Sequence, residues 1–347
     1  MTTEAERGRV RRGARRERMT SEGDNQKRQK KAYSVAALTV SFFSLFALAF
    51  VGVVVMLNDY ADKLDAERAN VVEIADRASE DPFYVLLIGS DTRKGTAVYT
   101  NQSTQYADVI TLMRIDPKDY KVTFLTVPRD TVLSGYNDKI CAALNSDDPL
   151  DVVKEVENLT GVKVDAYLMT TFISFENLIN ALGGIDVDVP QTVTMVDPAT
   201  GKNVKVKKGK NQHLDGAQAL VLARSREEYE GNQDALRQVN VRNIERAMMQ
   251  KVFSTKDDFD VGHVLAALDE DTKSNMDAAA YGLLIKQFME HADEVTIYDG
   301  TGTYEGNIRA GDEEWVIPED EQAWEALMAA VNAGKDPSTV VKPPSFS

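Results

Sequence analysis

One cysteine, Cys141, and three histidines, His213, His263 and His291, are all that 347 residues offer of the nitrogen and sulfur metal ligands. A lone cysteine builds no internal disulfide framework. No two histidines stand one helical turn apart, so zinc-hydrolase spacing is missing, and no Gly-x-Ser-x-Gly elbow marks a serine hydrolase. A nucleophilic Cys141 would want a histidine beside it, and the apolar residues around it point to a buried side chain instead. What remains for chemistry is carboxylate oxygen, suited to hard cations, and arginine.

Charge is absent from residues 32–57. This run of apolar and small residues exceeds the ~20 needed to cross a bilayer core, so a transmembrane helix is expected. A cleaved signal peptide is the alternative, with Ala47-Leu48-Ala49 as a processing site, but its apolar core is typically only ~7–15 residues long. Residues 1–31 are rich in Lys and Arg, a basic cytoplasmic tail that sets topology and touches anionic lipid. Everything after residue 57 is then extracytoplasmic. The chain carries 40 basic and 55 acidic residues in all, and with most of the tail's charge positive the outer part is strongly acidic. Such a surface repels nucleic acid, and any anionic ligand must be held by a local pocket of positive charge.

Residues 58–80 are charged, alanine-rich and free of Gly and Pro, a short helical spacer that ends at Asp81-Pro82. A domain over 81–335 follows. Strands are expected at 83–89, 109–115, 121–127, 166–170, 185–189 and 295–298, with helices at 150–159, 173–182, 216–224 and 233–253, and a β-type alternation at 202–210. The strands are continuous apolar runs such as Val85-Leu86-Leu87-Ile88, so both faces of the sheet are covered. The pattern predicts an α/β fold, a three-layer α/β/α sandwich with a central mixed sheet. Residues 336–347 carry Pro337, Pro343 and Pro344 without a packing pattern and are expected to be mobile.

Asp91 and Arg93 directly follow the first strand, Asp108 opens the second, and Arg129 stands in Pro128-Arg129-Asp130 after the third. Arg224, Arg226, Asp234 and Arg237 lie at the end of one late helix and the start of the next. Guanidinium groups gathered near strand ends call for a polyanion, and a planar fork grips phosphate with two hydrogen bonds. Asp91 and Asp108 could share a magnesium ion, which takes one or two carboxylates together with water and phosphate oxygens. Singly, each aspartate could equally cap a turn, and Asp234 with Arg237, three apart, could be a surface ion pair.

In Leu87-Ile88-Gly89-Ser90-Asp91-Thr92-Arg93, Ala107-Asp108-Val109-Ile110-Thr111-Leu112 and Val127-Pro128-Arg129-Asp130-Thr131 the chain resembles the first half of a LytR-CpsA-Psr domain. Gly183-Gly184, Leu214-Asp215-Gly216-Ala217-Gln218-Ala219-Leu220 and Arg224-Ser225-Arg226 through Asp234 and Arg237 resemble the second half. The resemblance implies a single-pass bacterial membrane enzyme acting in cell-wall biogenesis. It would transfer a glycopolymer, a teichoic acid or capsule, from a polyprenyl-pyrophosphate carrier to a peptidoglycan sugar hydroxyl as a phosphodiester. Asp91 and Asp108 would hold Mg2+ (or Mn2+), and Arg93, Arg129, Arg224, Arg226 and Arg237 would bind pyrophosphate, with Asp234 beside them. Arg93, Arg129 and Asp91 would carry the catalysis, Asp91 or Asp234 serving as base. The 172–182 helix would either line a prenyl tunnel or pack the core. The family's arginine before the second metal aspartate is replaced by Tyr106-Ala107, its Gly-Gly by Asp147-Asp148, and its late Arg-Gln pair by Asn240-Val241, unless the register shifts to Arg237-Gln238 or Arg242-Asn243. These departures leave open a non-catalytic or regulatory binder of the same lipid, or a pyrophosphatase acting on it.

Overall fold

The computed structural model describes residues 81–98, 104–133, 138–230, 233–254, 272–275, 291, 294–309 and 314–346. The expected tail, membrane span and spacer, residues 1–80, lie outside them, and among the described residues no helix is long and apolar enough to cross a membrane. A six-stranded mixed sheet forms the centre. Its middle strands are β1 (Phe83–Ser90), β2 (Ala107–Asp116) and β3 (Lys121–Thr126), with β4 (Thr131–Val132) following β3. β2 runs antiparallel to both neighbours, so β1 and β3 point the same way and end together. Beyond β1 lies β5 (Ala166–Thr170), parallel to it, then the short β10 (Lys273–Ser274); β11 (Thr296–Thr301) adds parallel to β3 on the opposite edge.

Helices cover both faces. On one side α1 (Pro149–Thr160) and α5 (Glu321–Asn332) bury Val152, Val156, Leu327 and Val331 against Leu86, Ile88, Ile110, Leu112 and Leu125. Each such side chain contributes roughly 1.5–3 kcal/mol when fully buried. On the other side stand α2 (Phe172–Ala181), α3 (Gly216–Arg224) and α4 (Gln233–Ser254). A second core joins them to the β6 (Ile185–Val189) and β9 (Gly209–Leu214) pair through Ile179, Ile185, Leu214, Leu222 and Ile244. The hairpin of β7 (Val193–Val196) and β8 (Asn203–Val206) lies against α3, and β12 (Asn307–Ile308) pairs with β13 (Trp315–Pro318), which runs parallel to β4.

The local signals are those the residues dictate. Asp148 accepts the Leu150 amide ahead of Pro149 to start α1, Thr171 caps α2, and Asp215 with Gln218 forms a reciprocal capping box on α3. The strands and helices expected from the sequence occur within two or three residues of their expected bounds. The segment after residue 336 behaves differently from the expectation of a tail without packing: Pro337–Thr339 form a 3₁₀ turn, and Phe346 meets Tyr229 edge to face at 5.1 Å.

Gly216 is where α3 crosses α2. A Cβ at that position would stand 2.3 Å from the Glu176 carbonyl oxygen, a backbone atom that cannot swing aside. Gly216→Ala should therefore separate the two helices and cost about 1–3 kcal/mol by overpacking. Urea unfolding checks this, and an unchanged midpoint would contradict the crossing.

Candidate active site

The shared end of β1 and β3, which is also the start of β2, assembles the predicted residues. Gly89 faces Val109 and Ser90 faces Ala107, so Asp108 is the extra residue of a β-bulge. A bulge frees one residue from the ladder and re-aims it. Here the liberated Asp108 carbonyl accepts from Arg237 Nη2 at 2.8 Å and Gln238 Nε2 at 3.4 Å, while its carboxylate takes Arg129 Nη1. Asp91 is tied to the incoming strand, its amide donating to the Tyr106 carbonyl at 3.0 Å and its Oδ1 accepting the Tyr106 amide at 2.7 Å.

Ten residues surround a polar cavity of about 260 Å³: Asp91, Arg93, Tyr106, Asp108, Arg129, Phe172, Met195, Arg224, Arg226 and Arg237. Seven of the eight predicted site residues are among them. The exception is Asp234, which stands behind Arg237 and accepts from its Nε and Nη2, both at 2.8 Å. It orients a guanidinium and is not among the residues that line the cavity. Arg224 and Arg226 flank Ser225, whose fully buried hydroxyl donates to the Val221 carbonyl at 2.7 Å. Turning Ser225 inward sends both arginines to the cavity. Burial, and then the positive charge of Arg93, pull the Arg224 pKa below its usual value. Guanidinium groups that feel one another in this way favour an anion between them.

Sequence reasoning missed several members. Tyr106, where the family places arginine, puts its ring under the Arg129 guanidinium at 5.8 Å, and Phe172 does the same for Arg224 at 4.9 Å. Asn240 is buried and donates to Tyr229 Oη at 2.7 Å, and Val241 lines the apolar cavity, so these two residues add no charge to the polar site. Arg242 turns to Thr126, and Gln238 supports the bulge. Asp147 holds the left-handed φ of 62° where the family has glycine, with Gln105 Nε2 and Lys273 Nζ on its carboxylate, both at 2.9 Å. Cys141 is buried, as expected, and burial pushes its thiol up to about 11.

A second cavity of about 150 Å³ shares Asp108, Phe172, Arg224 and Arg237 with the first. Its walls are apolar: Leu87, Leu168, Phe175, Leu178, Leu220, Val241, Ile244 and Met248. The α2 helix lines it, so that of the two readings of this helix the lining one has a cavity to go with it. Glu245 is the acidic member of the wall on α4, and burial raises its carboxyl to about 7 against the pull of Arg242 and Arg246. Among the described residues no group of three or more His, Cys, Asp or Glu could hold a metal ion. Asp91 and Asp108, the two carboxylates expected to share a cation, both line the polar cavity.

The LytR_cpsA_psr family model matches residues 51–327. The polyisoprenyl-teichoic acid–peptidoglycan teichoic acid transferase TagV of Bacillus subtilis strain 168 is 28% identical over 213 residues, 59% of this chain and 52% of that one. The transferase of the same description TagU of Bacillus mycoides is 29% identical over 212 residues, 60% and 65% of the two chains. The matches thus span about half to two thirds of these curated relatives. The crystal structure of B. subtilis TagV superposes with a TM-score of 0.58 at 22% identity, covering 74% of this chain and 98% of that one, a likeness of fold.

Beside Arg224, Glu176 on α2 faces Asp197 in the β7–β8 turn. Burial, reinforced by Asp197, lifts the Glu176 carboxyl from 4.5 to about 8. Burial works to raise Asp197 too, but hydrogen bonds from Thr200 and Glu176 hold it below its ordinary value. The folded state keeps a proton on Glu176 that the unfolded chain releases near 4.5, so this contribution to stability is complete below that pH and is lost as pH rises through about 8. Unfolding midpoints measured from pH 5 to 8.5 should fall less in Glu176→Gln than in the parent; parallel slopes would refute the buried pair.

Proposed function

Because the chain belongs to the LytR_cpsA_psr family, we propose that it is a membrane-anchored phosphotransferase. It moves a glycopolymer from a polyprenyl-pyrophosphate carrier to a peptidoglycan sugar hydroxyl. The observation that carries this reading is the junction of two cavities, one lined by five arginines and two carboxylates, the other apolar, with Asp108, Phe172, Arg224 and Arg237 common to both. An isoprenoid pyrophosphate has the same division, a dianionic head on an apolar chain. In its proposed setting the uncharged run 32–57 crosses the membrane and the basic residues before it stay in the cytoplasm.

Transfer forms a bond between the acceptor hydroxyl oxygen and the phosphorus that bears the polymer. It breaks the bond from that phosphorus to the bridging oxygen, and polyprenyl phosphate leaves. Arg93, Arg129, Arg224, Arg226 and Arg237 neutralise the phosphate oxygens, the largest electrostatic demand of phosphoryl transfer. Their geometry is set in advance: Arg237 by Asp234 and the bulge carbonyl, Arg129 by Asp108 and Tyr106. Such fixed guanidinium groups need little rearrangement as charge develops. Asp91 and Asp108 would hold Mg2+, which adds positive charge at the phosphate oxygens. Of the two carboxylates considered as base, Asp91 is among the residues lining the cavity and Asp234 is not, which supports Asp91 as the acceptor of the hydroxyl proton. The apolar walls exclude water from the leaving group.

A second reading, a binder of the same lipid without transfer, is favoured by one observation: Asn240 and Val241 bring no cation to the polar cavity. The two readings separate in an assay with a lipid-pyrophosphate-linked glycan and a peptidoglycan acceptor. Acceptor-dependent product supports transfer, phosphate release without acceptor supports hydrolysis, and bound but unaltered lipid supports the binder. Under transfer, Arg129→Ala should lower the rate by about 10²-fold or more, and full activity in that variant would reject the site. Chelation of divalent metal should stop turnover, with Mg2+ restoring it; turnover that persists in chelator argues against a metal on Asp91 and Asp108.

A further inference from the structure

β12 and β13 set Ile308 directly opposite Trp315. These side chains are 57% and 40% exposed. Directly opposed residues share a face of a sheet, so together they make one small apolar patch. The other large apolar side chains exposed among the described residues, Leu150, Val196 and Val340, sit on separate elements. The indole is braced from behind: a Cβ on Gly306 would meet its Cζ2 at 2.6 Å.

The patch connects to the polar site through the backbone and through charge. β13 runs parallel to β4 with Ile317 opposite Thr131, and the Ile317 amide donates to the Asp130 carbonyl at 2.9 Å. Trp315 thus lies two residues ahead of a strand pairing made with the segment directly after Arg129. Lys139 Nζ bridges Glu314 at 2.7 Å and Asp130 at 3.0 Å, and Asp130 lies 3.8 Å from Arg129 Nε. Arg309 reaches Glu314 from the facing strand at 3.1 Å.

We propose that Trp315 is the stacking platform of a saccharide subsite that receives the acceptor glycan, with Arg309 and Glu314 beside it for the sugar hydroxyls. The choice of occupant rests on the phosphotransferase reading. In-line displacement brings the attacking oxygen from the side opposite the leaving group. The leaving lipid phosphate belongs toward the apolar cavity, built on β1, β5, α2, α3 and α4. The acceptor then approaches from the other side of the arginines, where β4 and β13 continue beyond Arg129. A pyranose ring presents a face of C–H groups that suits the electron-rich face of an indole, and its rim of hydroxyls needs both donor and acceptor partners. Two side chains are far short of the ~800 Å² per partner that a stable protein interface uses.

The chain has two tryptophans, and Trp324 is 4% exposed, so a ligand on Trp315 is visible in intrinsic fluorescence. Titration of the full chain with a β-1,4-linked N-acetylglucosamine hexamer should shift and quench the emission, and Trp315→Ala should abolish the response while its thermal melt stays that of the parent. Trp315→Phe keeps a platform and should retain hexamer binding by calorimetry. In turnover, Trp315→Ala should raise the acceptor KM about tenfold with kcat and the donor KM little changed. An unaltered response in Trp315→Ala, or none in the parent while donor is consumed, overturns the subsite and leaves the phosphotransferase standing. A Trp315-dependent response in a protein that makes no transfer product supports the subsite and removes the phosphotransferase. A response to glycerol-phosphate oligomers in place of the hexamer overturns the choice of acceptor.

Discussion

Asp108 holds three parts of the molecule in one place. The bulge releases its carbonyl from the ladder to accept Arg237 and Gln238 from α4, and its carboxylate holds Arg129 from the turn after β3. A buried guanidinium without partners is costly, and leaving one partner unpaired costs more than the pair gains. Arg237, 4% exposed, is therefore tolerable at the sheet end because Asp234 and the Asp108 carbonyl complete its hydrogen bonds. Without the bulge that carbonyl would return to the ladder, and α4 would keep its contact with the sheet through Arg242 and Thr126 but lose the one at the sheet end.

The same anchor decides the relation of the two cavities. One turn of α4 delivers Arg237 to the polar cavity and the next delivers Val241 and Ile244 to the apolar one, with Asp108 at the boundary. Phe172 serves both sides, as apolar wall and as the ring beneath the Arg224 guanidinium. Cation and aromatic face attract most strongly where water is excluded. Positive charge can thus be concentrated at the mouth of an apolar space without each guanidinium having a carboxylate of its own, which would cancel the charge available to an anion.

Much of the frame was legible. Continuous apolar runs marked β1, β2 and β3 because strands covered on both faces need no polar alternation, and Asp215, Thr171 and Asp148 marked helix starts. Asp91, Arg93, Asp108 and Arg129 could be picked out because charge directly after an apolar strand is rarely structural at several strands at once. Among the elements that escaped, β4, β10 and β12 are two residues each, β7 belongs to a hairpin whose turn is made by Asp197 and Thr200, and α5 and β13 had no stated bounds. Two-residue pairings carry no periodicity. The place of Asp234 was left open, because an i, i+3 aspartate and arginine look alike whether they face a ligand or each other.

Composition and order of residues determined by themselves that the chain has little to work with except carboxylates and arginines, that it builds a covered α/β sheet, and that its charged residues cluster at strand ends. These are local properties, set by periodicity, caps and side-chain chemistry. Only the tertiary structure decided that Asp108 is a bulge residue, that Asp234 holds the Arg237 guanidinium, that Tyr106 and Phe172 lie under arginines, and that the strand of Trp315 pairs with the segment after Arg129. Apart from the Asp234–Arg237 pair within α4, each of these joins residues far apart in the chain. A one-residue change of register would send the strand residues among them to the other face of their sheet.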